Sequence, residues 1–225
     1  MFAKLYDYSD PNSLGSRFRR ARSKILRKQI EDIYAQRGEC RIIDLGGTET
    51  YWNIFEPEFL SAHGVRITLV NVKADKAANP LFESISGDAC ALPFSDNHFD
   101  LAHSNSVVEH VGSWEKMRAF AEETRRVAPS YYVQTPYFWF PVEPHYRSLF
   151  LHWFPDNVKA RTFSRRRLGG WAPSTNIDDA MSRLSHAQLL DKWQFAELFP
   201  DAEFRHEQIA GITKSLVAVR ERPAA

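Results

Sequence analysis

The chain has 225 residues, 44% of them hydrophobic, and a formal net charge of +1. That length buries the core of one domain with additions, and near-neutrality gives no general attraction to nucleic acid or acidic membrane. Two cysteines, Cys40 and Cys90, make no disulfide framework and point to a reducing, cytoplasmic setting. The opening MFAKLYDYSDP lacks the apolar stretch of a secretion signal. The longest apolar run, Tyr137–Val142, falls far short of the roughly 20 residues of a spanning helix.

Residues 1–16 read as a turn-rich lead-in, with Ser13 or Ser16 as a helix cap. Arg17 to about Gln36 reads as a helix stopped by Gly38, with Phe18, Ala21, Ile25, Ile30, Ile33 and Tyr34 as its apolar stripe. Its first turns carry Arg17, Arg19, Arg20, Arg22, Lys24, Arg27 and Lys28, either as a solvated face or as a grip for phosphate or carboxylate. Cys40–Leu45 is a buried strand running into Gly46-Gly47, where a ligand can approach the backbone without meeting a Cβ. Asp44, at the strand's carboxyl end, can hold that loop or a cationic ligand group.

Thr50–Ala62 is expected as a crossover helix interrupted or bent by Pro57, and Val65–Val72 as a second strand parallel to the first. Asn71 stands where nucleotide-binding folds place an acid for the ribose hydroxyls. Lys73–Phe82 reads as loop or short helix, and Ser84–Ser86 as an outer strand. In residues 87–111, Asp88 sits on a loop where a carboxylate can read an adenine edge. Phe99–His103 follows as a short buried strand, and Ser104-Asn105-Ser106 leads into a helix with Glu109 and His110.

The ordered set Asp44-Leu45-Gly46-Gly47, Gly87-Asp88-Ala89 with Leu92-Pro93-Phe94, Phe99-Asp100-Leu101 and Val107–Val111 resembles the class I S-adenosylmethionine-dependent methyltransferases. The nearest likeness is to the type 11 methyltransferase-domain group, over about residues 40–135. The resemblance implies an α/β, Rossmann-like fold: a seven-stranded, mostly parallel sheet with an antiparallel last strand and helices on both faces. It implies S-adenosyl-L-methionine as cofactor, with methionine over Asp44, Gly46, Gly47 and Thr48 and ribose near Asn71 and Val72. Adenine would lie near Asp88 and Ala89, and the sulfonium beside Ser104 and Asn105. Two departures stand out: Thr48 and Thr50 replace expected glycines, and Asn71 replaces the ribose-binding acid. They leave open a non-catalytic binding protein of the same fold.

Ser113–Val127 is strongly helical, with Trp114, Met117, Ala121 and Thr124 near one face; Pro129 breaks it, and Tyr131–Thr135 is strand five. Residues 136–185 form an aromatic-rich insertion after that strand. It either packs a small core of its own or caps the acceptor site, with Arg165, Arg166 and Arg167 available to a phosphate. Its composition also fits peripheral contact with a membrane. Ser185 is expected to cap a helix over His186–Phe199, with Leu189, Leu190, Trp193 and Leu198 apolar; Glu203–Ile209 and Ser215–Arg220 then form a hairpin. The chain is thus expected to be one domain, with residues 1–38 as an N-terminal extension.

For a hydroxyl acceptor the candidate general bases are His110, then His145, then Tyr137. Glu143, His145 and His152 match no metal-ligand spacing, so no metal is expected. Cys90 has no paired base. The expected acceptor is a small molecule, sugar or lipid-linked compound methylated at oxygen. A nucleic-acid substrate is the weaker alternative, suggested by the Arg17–Lys28 and Arg161–Arg167 clusters. An NAD-dependent oxidoreductase lacks its G-x-G-x-x-G here.

Overall fold

The computed structural model describes residues 14–74 and 76–221. The expected lead-in up to Ser13 lies outside them. Helix α1 spans Leu14–Arg37 and ends at Gly38, whose φ of 76° suits glycine. Strands β1 (Cys40–Leu45), β2 (Val65–Asn71), β3 (Phe82–Ser86), β4 (Leu101–Asn105) and β5 (Ser130–Pro136) are mutually parallel, and β8 (Glu203–Ile209) and β9 (Ile212–Arg220) close the chain as a hairpin. The sheet order β3-β2-β1-β4-β5-β9-β8, with β9 antiparallel to β5, is the architecture the resemblance implies. Its order reverses beside β1, so β1 and β4 diverge at their carboxyl ends. In open α/β sheets that is where a ligand crevice forms.

Two cores flank the sheet. One packs Ile43, Leu45 and Val133 against Met117, Phe120 and Ala121 of α4 (Trp114–Val127), which Ser113 caps by accepting from Lys116 N. The other packs Ile42, Ile67 and Leu69 against Leu26, Ile30 and Ile33 of α1. Here the expected stripe is corrected: Ala21 and Tyr34 are exposed, while Arg22 and Gln29 are buried. Arg22 Nε and Nη2 donate to Glu207 (2.7 and 2.8 Å), and Gln29 Nε2 donates to the Tyr131 and Arg220 carbonyls while its Oε1 has no partner among the described residues. Several basic residues of α1 therefore serve internal pairs. Arg27 donates to Glu56 and stands over the Phe59 ring at 3.8 Å, and Lys28 bonds Asp32.

Other boundaries also move. The crossover over 50–62 is two short helices, α2 (Glu49–Trp52) and α3 (Pro57–Ala62), because Pro57 lacks an N–H and takes a first-turn position. The strand expected at Phe99 begins at Leu101, paired with Ile42. Glu109 and His110 sit on a single 3-10 turn, Val108–His110, and not on a longer helix. The helix expected over 186–199 is only α7 (Lys192–Leu198). Asp191 and Gln194 form a reciprocal capping box there, whereas Ser185 closes the preceding α6 (Ile177–Leu184). Trp193, assigned to the apolar face, is 78% exposed.

After β5 the insertion contains a small hairpin, β6 (Val142–Glu143) with β7 (Ser148–Leu149), a 3-10 turn and α5 (Asp156–Arg165) packed on α6. It has a core of its own, formed by Ala160, Phe163 and Ala180 with Tyr146, Leu168 and Leu184. The segment 186–190 has no helix and ties it to the body: Phe138 N donates to Leu190 O (2.9 Å) and Gln188 N to Glu109 O (2.7 Å). Among the described residues no helix is long and apolar enough to cross a membrane.

Candidate active site

A cleft of about 830 Å³ opens at the carboxyl ends of β1, β2 and β4. Its size lies within the about 300–1,000 Å³ usual for small-molecule sites. Of the sequence-derived residues, Gly46, Asn71, Val72, Asp88, Ala89 and His110 line it. Val70, Val107 and Val111 add apolar walls, and Lys73 and Lys116 add charge. Lys116, which sequence reasoning did not single out, pairs with Asp88 at 3.1 Å. That pairing and the Cys90 N–H hold the Asp88 carboxyl below its ordinary range.

The glycines of the turn are required by the protein's own packing. Gly46 has φ 73°, and a Cβ there would lie 2.5 Å from Val107 Cγ2. At Gly47 a Cβ would overlap the Asp44 carboxylate. Asp44 is fully buried beneath the turn: Oδ2 accepts from Trp52 Nε1 (2.8 Å) and Oδ1 faces His103 Nδ1 (2.7 Å). It supports the loop from below and does not line the cleft. Asn71 has the same structural bent, since its Nδ2 donates to the Gly47 carbonyl (2.9 Å) and leaves Oδ1 as an acceptor. Thr48 is exposed and extended ahead of α2.

Ser104 is buried, its hydroxyl donating to the Leu45 carbonyl (3.2 Å). Asn105 faces a second, smaller pocket of about 130 Å³ with Tyr137, Phe140 and Lys214, and its Oδ1 accepts from Arg22 (3.0 Å). Tyr137 is therefore separated from His110, which belongs to the larger cleft.

His110 and His145, 35 residues apart in sequence, are brought together with their Nε2 atoms 3.1 Å from one another. His110 Nδ1 faces the His186 carbonyl (2.7 Å) and His145 Nδ1 faces Glu143 Oε1 (2.5 Å). Both partners only accept, so both Nδ1 atoms carry protons and one Nε2 must donate to the other. The electrostatics assign that donor. Burial lowers His110, and its neighbour His145 adds to the effect; burial also opposes the charge on His145, but Glu143 and Glu109 outweigh it and raise it. Glu109 is buried, and burial pushes its carboxyl up to about 7; Thr135 donates to its Oε2 (2.9 Å). His152, drawn with Glu143 and His145 from the sequence, turns its Nε2 to the Phe138 carbonyl.

Residues 44–130 match a family described as a methyltransferase domain. The likeness to methyltransferase domains is confined to that span, which is under half of the chain. The match ends before the insertion, and no curated protein matches the chain. Among solved structures, a Rhodobacter sphaeroides protein provisionally named a Zn-dependent alcohol dehydrogenase shares 11% identity over 83% of this chain and 85% of its own, with a TM-score of 0.51. The PH0226 protein of Pyrococcus horikoshii shares 15% over 97% and 96% (TM-score 0.48). A SAM-dependent methyltransferase of Methanosarcina mazei shares 13% over 82% and 94% (0.47). At 11% identity the first of these likenesses shows the fold alone, and one fold hosts many activities. What the cleft does is thus a matter for its own residues.

Proposed function

We propose that the chain transfers the methyl group of S-adenosylmethionine to an oxygen of a small-molecule, sugar or lipid-linked acceptor held between the cleft and the insertion. The observation that carries this reading is the position of His110, which lines the cleft while bonding to the His186 carbonyl and to His145 of the insertion. The cleft suits a nucleoside: Val70, Ala89 and Val107 give it apolar walls, and Asn71 and the Asp88–Lys116 pair give it polar ones. When bound, the cofactor supplies an activated methyl on sulfur. The remaining work is to hold the acceptor in line and receive its proton.

His110 and His145 are suited to that second task, with Glu143 fixing the outer ring. For His110 Nε2 to receive the acceptor's proton, the His145 Nε2 proton must first pass to solvent, which leaves His145 neutral and frees the His110 lone pair. The insertion provides the acceptor's surroundings. Its Trp139, Phe150, Trp153 and Phe154 are exposed, and Trp139 and Phe150 each make ring contact with Trp153. This surface favours a lipid-linked acceptor presented at a membrane interface, where aromatic rings settle readily.

Calorimetric titration of the purified chain with S-adenosylmethionine and S-adenosylhomocysteine tests the reading. Saturable one-site binding is expected, followed by methyl transfer in a screen of hydroxylated sugars and lipid-linked compounds. No binding up to millimolar cofactor would overturn it in favour of a non-catalytic role.

A further inference from the structure

We propose that Glu109, His110 and His145 form a binding site for a divalent transition-metal ion with the coordination habits of zinc. Their ligand atoms all lie within 4.8 Å of one another. The two Nε2 atoms are 3.1 Å apart, close to the roughly 3.3 Å that two zinc–nitrogen bonds of tetrahedral geometry impose. An ion therefore fits with the rings moving a few tenths of an ångström.

Three further features belong to a built site. Each ring's far nitrogen is already oriented by an acceptor, the His186 carbonyl for His110 and the Glu143 carboxylate for His145. Metal-binding imidazoles are held in this way, which fixes the tautomer that leaves Nε2 free to ligate. Glu109 is 1% exposed, and its Oε1 is buried with no hydrogen-bond partner among the described residues. A buried carboxylate oxygen without a donor costs free energy that a cation would offset. The donor set, two imidazole nitrogens and one carboxylate oxygen, suits zinc and its neighbours in the transition series and not calcium or magnesium, which take oxygen.

The ion would replace the proton now shared by the rings, so the pair is either protonic or metal-bound. Three protein ligands leave a tetrahedral ion one position, which water or an acceptor hydroxyl can take. That last consequence rests on the methyl-transfer reading. Metal binding itself is measured with neither cofactor nor acceptor, so the two can fail separately.

The test is titration of chelator-treated protein with Zn²⁺ by calorimetry and with Co²⁺ by visible absorption. One equivalent per chain is expected, with cobalt bands of a low-coordinate site. His110→Ala and His145→Ala should abolish binding, and Glu109→Gln should weaken it. Glu143→Gln, which touches no ion, should weaken it about 10- to 100-fold, and the exposed His206→Ala should leave it unchanged. The two Glu→Gln variants are near-isosteric, and circular dichroism reports whether each variant is folded. Absence of saturable binding by the parent chain, or binding indifferent to all four substitutions, would overturn the site.

Discussion

Gly47 stands directly over the carboxylate of Asp44, so near that a Cβ would occupy the place of Oδ2. The glycine turn and the end of β1 are therefore one packed unit, with Trp52 and His103 fixing the acid from the other sides. Gly47→Ala must displace Asp44 and strand its buried partners, at a cost of roughly 3 kcal/mol or more. Urea unfolding without any ligand measures this. A midpoint equal to the parent's would mean that the turn yields in some cheaper way.

Asn71 gives a prediction against intuition. Restoring the family's acid by Asn71→Asp places a carboxylate oxygen against the Gly47 carbonyl, where Nδ2 now donates. The turn would lose a bond and gain a repulsion, and cofactor affinity is expected to fall about tenfold, the equivalent of 1.4 kcal/mol. Tighter binding by the variant would show that the ribose contact outweighs the turn.

His110→Ala is expected to leave cofactor affinity within a few-fold and to slow transfer by about 10²–10⁴, the usual worth of a positioned acid–base group. Single-turnover kinetics beside a cofactor titration separates the two effects. Unchanged transfer would remove His110 from the proton path.

A pH effect on stability follows from Lys214. Burial, with Arg22 nearby, lowers its pKa to about 8 from an ordinary 10.5, although Glu207 opposes the shift. Between those values the unfolded chain binds the proton more tightly, so this group's penalty is full below pH 8 and fades as pH rises towards 10.5. The change is on the order of 3 kcal/mol. Denaturation of the parent and Lys214→Met across pH 7–10.5 isolates it: any stability advantage of the variant should shrink as pH rises. A constant difference would count against the buried charge.

Much of the fold was legible because its signals are local. Ser113 and Pro129 bracket α4, the β-branched run of β2 ends where the ladder ends, and Ala210-Gly211 turns the last hairpin. The order of the short motifs carried the sheet topology. Local competition hid the rest: Ser185 and Asp191 are both plausible caps, but only Asp191 has Gln194 three residues on to answer it. On α1 the burial of Arg22 depends on Glu207, 185 residues away, which no periodicity reveals. The site was legible in its parts and not in its connections. His110 and His145 could be proposed singly, but their contact, the Glu109 oxygen beside them and the Asn71 bond to Gly47 all arise from long-range packing.

The stretch 186–190 hydrogen-bonds on one side to Phe138 and on the other to Glu109 and His110. It follows the insertion in sequence and belongs to the wall beside His110 by contact. An exchange of insertions between related chains would therefore have to be spliced after Leu190. A graft joined at Ser185 would import a new cap yet leave the old backbone gripping the histidine, and the two would be out of step.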